Sequence, residues 1–235
     1  MKIKILFDRD TINPDLHTGW GISFIIDSHI LFDTGEKFEY ISANAKAMNI
    51  DLNQIDTVVI SHEHWDHING LWEILKMKPG IKVYGCPGFS NGFKEKVSAC
   101  GGVLEDVASI TKIAENIHIL GGNRVVYKGN GLSEQMITLK TDKGFVVVCA
   151  CCHPGIVNIV HKATAAFGLK VDTVVGGLHM IDKDKRFTRY ALSEMKMYVD
   201  NVYSSHCTGY DAEEILKELY GEKAVVLKTG MEIEV

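Results

Sequence analysis

The segment Ile55–His67, IDTVVISHEHWDH, decides the fold and carries the densest chemistry of the chain. Its first part, residues 55–60, is an apolar run that predicts a buried strand. The polar part follows at once, so we predict that it forms a loop at the end of that strand. Imidazoles and carboxylates are ligands that zinc and iron prefer, and this loop could serve two metal ions. The candidate ligands are His62, His64, Asp66 and His67.

Length and composition indicate one globular domain. The 235 residues contain only 4 prolines and no linker-like tract, so we predict a single domain, 1–235, built from two similar halves. A net charge of −5 gives no general attraction for nucleic acid. The chain has no apolar run of about 18 residues, so no membrane span is expected. The oligomeric state is left open.

Targeting and cysteine patterns favour the cytoplasm. The apolar run at 3–7 is too short for the core of a signal peptide. The six cysteines form no evident disulfide framework, which suits a reducing compartment. We therefore expect a cytoplasmic protein.

Strand and helix patterns alternate along both halves. Strands are predicted at 3–7, 22–27, 30–32 and 55–60 and helices at 36–48 and 69–76, whereas 86–116 is expected to form loops over the site. In the second half we predict a hairpin over 136–149, helices over 154–167 and 187–200, and a strand over 171–175. A last helix is expected to start with a capping box formed by Asp211 and Glu214. This order predicts an α+β fold with two sheets packed face to face and helices outside.

Three later histidines are further site candidates because the first cluster cannot complete two metal sites. His153 ends an apolar strand just before a helix, and His206 lies in a short loop before the last helix. His179 follows a Gly-Gly pair after a strand, so its ring could face an open site. We predict His153 and His206 as metal ligands and His179 as a catalytic residue.

The histidine cluster and a turn near the N-terminus resemble a known superfamily. The form H-x-H-x-D-H at 62–67, together with Asp33-Thr34-Gly35 and the loop Ser205–Gly209, is similar to the metallo-β-lactamase superfamily of metallohydrolases. The resemblance runs from about the first strand to the end of the chain. It implies a four-layer αββα sandwich with the metal loops at one edge, between the sheets.

The chain departs from the commonest pattern of that superfamily. Segments 131–135 and 151–155 stand where a Gly-His-Thr loop and a bridging aspartate are usual. The segments Cys152–Asn158, Gly176–His179 and His206–Gly209 resemble the branch labelled dihydropterin-ribofuranosylaminobenzene-phosphate synthase-like. On this basis one ion is assigned to His62, His64 and His153, and a second to Asp66, His67 and His206. Cys152 and Glu134 remain candidates to complete either shell.

The favoured function is a hydrolase or transferase that uses a metal-activated water on a small phosphate-bearing, pterin-like substrate. Asp66 would bind metal and orient that water, and His179 would donate a proton or hold an oxyanion. The expected cofactor is zinc, as one or two ions, with iron or manganese as alternatives. An iron enzyme of sulfur or redox chemistry is a second hypothesis, motivated by Cys149, Cys151, Cys152 and Cys207. A non-catalytic metal-binding sensor is a third.

Overall fold

The computed structural model describes every residue from Met1 to Val235, and the chain divides into two compact units. The first unit comprises Met1–Ala108 together with Lys228–Val235, and the second comprises Ser109–Leu227. Each unit contains one seven-stranded sheet with helices. The α+β class and the two sheets are therefore confirmed.

The sheet of the first unit has the strand order β14-β1-β2-β3-β4-β5-β6. Pairing is antiparallel from β14 to β3 and parallel from β3 to β6. The elements are β1 Lys2–Phe7, β2 Ser23–Ile26, β3 Ile30–Phe32, α1 Phe38–Ala47, β4 Thr57–Val59, α2 Trp65–Ile68, α3 Leu71–Met77, β5 Lys82–Gly85, α4 Asn91–Ala99, β6 Val103–Asp106 and β14 Glu232–Glu234.

The sheet of the second unit repeats this plan with the order β13-β12-β11-β10-β9-β8-β7. Pairing is antiparallel from β7 to β10 and parallel from β10 to β13. The elements are β7 Ile110–Ala114, β8 Ile117–Tyr127, β9 Asn130–Thr141, β10 Gly144–Cys149, α5 Ile156–Phe167, β11 Val171–Gly176, α6 Lys185–Met195, β12 Asn201–Ser204, α7 Tyr210–Tyr220 and β13 Ala224–Val226.

Each unit has its own apolar core between sheet and helices. In the first unit, Leu31 and Val58 of the sheet are fully buried against helix residues such as Ile41 and Leu71. In the second, the apolar strands β10 to β12 pack against α5, α6 and α7 through Val147, Val174, Val202, Val160, Leu192 and Leu216. Burial of apolar surface stabilises the fold by about 25 cal/mol per Å². These two cores therefore hold the strand ends that carry the candidate site residues in place.

The prediction that 86–116 forms loops is wrong. This stretch contains α4, β6 and β7. Ser90 caps α4, because its side chain accepts a hydrogen bond from the Phe93 N–H at 3.1 Å. Phe93 and Val97, four residues apart, bury one face of the helix. The Ser90 cap and the burial of Phe93 and Val97 stabilise a helix here, although glycines are scattered through the stretch.

The predicted capping box of the last helix is also wrong. Helix α7 starts at Tyr210, its N-cap is Gly209, and no side chain caps it. The Asp211 carboxylate instead pairs with the Lys185 ammonium group at 3.0 Å. Glu214 has no capping role at this end.

Two further observations concern membrane-spanning helices and disulfide bonds. No helix combines the length and the apolar character that a membrane-spanning segment needs. All six cysteines, at positions 86, 100, 149, 151, 152 and 207, are free thiols.

Gly21 provides a test of how tightly the first unit is packed. Its φ is +107°, and a Cβ there would collide with the Asp66 carbonyl oxygen. We expect Gly21→Ala to lower the free energy of unfolding by about 2–4 kcal/mol, measured by urea denaturation, because strain and overpacking add. Gly129→Ala is the control: its φ is +82° but nothing lies within 4 Å, so a loss of about 1 kcal/mol is expected. Equal losses in the two variants would contradict this account of packing at Gly21.

Candidate functional site

The four candidate ligands of the first unit lie together after strand β4. His62 Nε2 is 2.9 Å from His64 Nδ1, and His67 Nε2 is 3.2 Å from Asp66 Oδ2. The rings of His62 and His67 have centroids 4.2 Å apart. Asp66 and His67 are on the one-turn helix α2 rather than on a loop, which corrects the prediction for that part of the segment. The sequence-based grouping of these four side chains is reproduced within this unit.

Asp33 organises this cluster from beneath. It follows β3 directly, is fully buried, and has a left-handed φ of 55°. Its carboxylate accepts hydrogen bonds from the Ser61 N–H at 2.7 Å, the Ser61 hydroxyl at 2.6 Å and His67 Nδ1 at 2.7 Å. The neighbouring Thr34 hydroxyl donates to the His67 carbonyl at 2.8 Å. The Asp-Thr-Gly turn therefore clamps both ends of the ligand segment.

The hydrogen bonds around Asp33 fix the tautomer of His62. The Ser61 hydroxyl has one hydrogen, and it donates that hydrogen to Asp33. The 2.8 Å contact between Ser61 Oγ and His62 Nδ1 must then have the ring N–H as donor. His62 Nε2 consequently carries a lone pair, as a metal ligand requires.

His67 lies between two carboxylates. Burial by itself lowers its pKa, but the charge and hydrogen bond of Asp33, with a further contribution from Asp66, raise the pKa to about 10. Burial raises the pKa of Asp33, and His67 opposes that shift. Asp33 thus holds Nδ1 of the ring, and Nε2 faces the Asp66 carboxylate.

In the second unit, three loops follow the parallel strands β10, β11 and β12. They carry His153, His179 and His206, so the candidates of this unit share one edge of its sheet. Each loop has a side-chain-bearing residue with positive φ: Cys152 at 60°, His179 at 51° and His206 at 46°. Such backbone strain costs on the order of 1–3 kcal/mol per residue and is concentrated at functional sites.

Hydrogen bonds join the loops after β11 and β12. The Leu178 N–H donates to the Thr208 hydroxyl at 3.1 Å, and the Met180 N–H donates to the Cys207 carbonyl at 3.1 Å. His179 lies between the two donors, and His206 starts the single 3₁₀ turn that supplies the acceptors. The positions of His179 and His206 are therefore set by the same backbone contacts.

Glu134 on β9 orients His153 and was underestimated from sequence. It is fully buried and accepts hydrogen bonds from the Cys152 N–H at 2.7 Å, the His153 N–H at 2.7 Å and His153 Nδ1 at 3.0 Å. Burial alone would raise its pKa, but these donors lower it. Glu134 orients the candidate ligand His153 through Nδ1 and leaves Nε2 of that ring available. The only sequence signal was one acidic residue beside the apolar run 136–139.

His179 is a neutral imidazole in an aromatic setting. Its ring centroid is 4.2 Å from that of His153 and 5.2 Å from that of Tyr127. Neither ring nitrogen makes a hydrogen bond, and the nearest carboxylate oxygen, of Asp182, is 3.7 Å from Nε2. Burial, helped by His153, lowers its pKa to about 4.

The four cysteines of the second unit divide into two pairs. Cys149 and Cys152 belong to the apolar core, and burial with Cys149 as a neighbour raises the pKa of the Cys152 thiol. Cys151 and Cys207 instead lie with His179, their sulfur atoms and a ring nitrogen being within 4.8 Å of one another. Packing thus favours Cys151 over Cys152 as a sulfur donor.

These donors fit a zinc ion by their chemistry. Lone pairs at Nε2 of His62 and His153 are held by donation from each Nδ1 to a hydroxyl or a carboxylate, which is the arrangement that orients zinc-binding histidines. The same donors also suit iron.

Asp33→Asn tests this arrangement. We expect zinc affinity to fall by about 10–100-fold. The substitution removes the charged acceptor that holds the Ser61 N–H, the Ser61 hydroxyl and the His67 ring in position. Affinity is measured by competition with a chromophoric chelator. Asp56→Asn, at an exposed carboxylate before β4, is the control and should bind zinc unchanged. Unaltered zinc binding by Asp33→Asn would show that Asp33 does not position ligands.

Comparison with known proteins identifies the family of this chain. The family model described as Beta-lactamase superfamily domain matches residues 28–230. The 7,8-dihydropterin-6-methyl-4-(beta-D-ribofuranosyl)-aminobenzene-5'-phosphate synthase of Methanocaldococcus jannaschii is 30% identical, over 89% of this chain and 88% of that protein. An uncharacterized protein of the same organism, MJ0448, is 24% identical over 92% of this chain and 94% of its own length.

Solved structures share the fold over the whole chain. The crystal structure of Tm1679, described as a metal-dependent hydrolase of the beta-lactamase superfamily, has a TM-score of 0.84 and 28% identity, covering 100% of this chain and 99% of that one. YhfI of Bacillus subtilis, a metallo-beta-lactamase fold protein, shares the fold with a TM-score of 0.68 at 13% identity, covering 99% of each chain. The chain is an enzyme of the metallo-β-lactamase fold and belongs to the beta-lactamase superfamily.

Proposed function

We propose that this enzyme is a metal-dependent hydrolase or transferase that uses a metal-activated water on a small phosphate-bearing, pterin-like substrate. The observation that carries the proposal is the pair of buried carboxylates, Asp33 and Glu134, that orient candidate ligand histidines. A buried carboxylate is costly unless it is fully hydrogen-bonded. Its use to aim imidazole rings supports a working metal centre.

The proposed ligands are the six residues predicted from sequence. His62, His64 and His153 would hold one ion, and Asp66, His67 and His206 a second. Membership of a metallohydrolase superfamily and the tautomers of His62 and His153 support this assignment. Zinc is the proposed metal, and iron or manganese are the alternatives.

The chemistry divides between the metal and two side chains. Bound zinc would supply Lewis acidity and lower the pKa of a coordinated water toward about 7. Asp66 would accept a hydrogen bond from the attacking water and so orient it. His179, which the low pKa keeps neutral, would donate an N–H hydrogen bond to charge that develops on the substrate oxygen.

The phosphate-bearing substrate is supported by two observations. The name of the Methanocaldococcus jannaschii relative contains a 5'-phosphate and a dihydropterin. In this chain, no side chain caps helix α5, which starts just after His153. The free N–H groups of a helix N-terminus suit an anion.

The free thiols suit a reducing compartment, and we extend the proposal to a cytoplasmic location.

A redox function is the second candidate. The cluster of Cys151, Cys207 and His179 favours it, because two soft sulfur donors and an imidazole lie beside the candidate ligand His153. If iron is the resident metal, the redox function becomes the preferred hypothesis.

Metal content of anaerobically purified protein tests the proposal. We expect about two zinc ions per chain by elemental analysis, with clear losses in His153→Ala and His206→Ala because each removes one ligand. His29→Ala, a histidine away from both clusters, is the control and should retain its metal. About one iron per chain would favour the redox reading. No stoichiometric metal after repletion would overturn both readings.

Turnover of phosphate esters then tests His179. In a screen with p-nitrophenyl phosphate esters, His179→Ala should keep its metal and lose about 10²–10³-fold in kcat, the usual effect of removing one oxyanion donor. A fall in metal content alongside kcat would indicate that His179 is a ligand. An unchanged kcat would remove it from the mechanism.

A further inference from the structure

A cavity of about 490 Å³ lies within the second unit and is lined by His153 and His179, whose rings are tilted by 41° to each other. His153 and His179 come shortly before α5 and α6, so they lie at the end of the cavity where these two helices begin. The N-terminal half of α5 and one face of α6 line its sides. We call this cavity the α5–α6 groove. Its volume is in the range that small-molecule sites occupy.

The α6 side of the groove is largely aromatic. Phe187, Tyr190, Ala191 and Glu194 all line it, and their spacing of three, four and seven residues puts them on one helix face. The Phe187 side chain is 49% exposed and that of Tyr190 is 67% exposed. Tyr127 of β8 adds a third ring, in contact with both histidines. Large exposed aromatic residues around one cavity indicate a ligand with a flat apolar face.

Glu194 is the one carboxylate that lines this groove. It is half-buried, and its side chain makes no hydrogen bond or ion pair within the chain. Acids nearby are paired: Asp182 lies 2.9 Å from the Lys183 ammonium group, and Glu218 lies 2.6 Å from the Arg189 guanidinium. A half-buried acceptor without a cation is best matched by N–H donors of a ligand.

The groove therefore differs from one end to the other. Lys183, the uncapped N-terminus of α5 and the two histidines lie at the first end. Glu194 is seven residues along α6 from Phe187, or about 10 Å at 1.5 Å per residue. A ligand with an anion at one end and an N–H-bearing ring at the other complements both ends.

We propose that the α5–α6 groove binds a planar amino-substituted heteroaromatic ring, with its faces against Phe187, Tyr190 and Tyr127 and its N–H edge on the Glu194 carboxylate. Two adjacent N–H groups on such a ring match the two oxygens of a carboxylate. This inference rests on the proposed function, because the groove leads to the histidines that would carry the reaction. Glu194 is then the residue that selects the ring.

Binding of two fluorescent rings at pH 7 tests this assignment. Pterin has an amino group beside a ring N–H, and lumazine has a carbonyl in place of the amino group. We expect the unaltered enzyme to bind pterin at least tenfold more tightly than lumazine, because that carbonyl would face the carboxylate. Glu194→Gln should reduce the preference to less than about threefold. Phe187→Ala should weaken both probes by a similar factor, about tenfold.

Controls separate this site from the metal chemistry. Glu214→Gln, at an exposed acid on α7 outside the groove, should keep the preference for pterin. Titrations of the enzyme as purified and after chelator treatment should agree. Selective pterin binding without any turnover would leave the ring site standing while the proposed function fails. Hydrolysis of phosphate esters without pterin binding would overturn the ring site alone.

Two further outcomes would overturn the ring site. The first is an unchanged preference for pterin in Glu194→Gln. The second is a dimer that covers Phe187 and Tyr190 and excludes both probes.

Discussion

Buried carboxylates that are surrounded by hydrogen-bond donors are the constraint on which the candidate site residues of each unit depend. Asp33 and Glu134 are fully buried, and each accepts backbone and imidazole N–H groups. An ionised group in such a place is stable only when its donors stay in position. Each carboxylate therefore dictates the path of a loop as well as the direction of a ring. The orientation of these candidate ligand side chains is therefore a property of the folded core rather than of the loops themselves.

The two units apply the same topology to this problem. In both, an antiparallel half-sheet leads into a parallel half-sheet, and the candidate site residues follow parallel strands. Parallel strands end at the same edge, so residues far apart in sequence become neighbours there. Residues with a left-handed backbone carry the conformational cost of turning at the edge of each sheet: Asp33 in the first unit and Cys152, His179 and His206 in the second. The helix-covered cores offset it.

Sequence predicted the parts of the structure that depend on short-range patterns. The apolar run before His62 forms β4, and the helix predicted over 154–167 is α5, although it begins at Ile156 rather than Pro154. The clustering of Asp66 with the nearby histidines followed from spacing alone.

Long-range contacts account for what the sequence did not reveal. The bond from Glu134 to His153 spans 19 residues and depends on strand pairing, so no local pattern announces it. Asp211 satisfied the spacing of a capping box but pairs with Lys185 across two helices. In 86–116, glycines suggested loops, although burial of Phe93 and Val97 forms a helix there. Tertiary partners decided the first two outcomes, whereas the Ser90 cap and the spacing of Phe93 and Val97 are local signals that the glycines obscured.

The hairpin of β8 and β9 has a consequence for motion. Its outer rungs pair Val126 with Gly131 and Tyr127 with Asn130, and Val126 is 79% exposed. Such rungs open locally at a small fraction of the free energy of global unfolding. Tyr127, which contacts His153 and His179, is therefore carried by one of the least protected parts of the second sheet. Amide exchange there would report how often Tyr127 moves away from these imidazoles while the core stays folded.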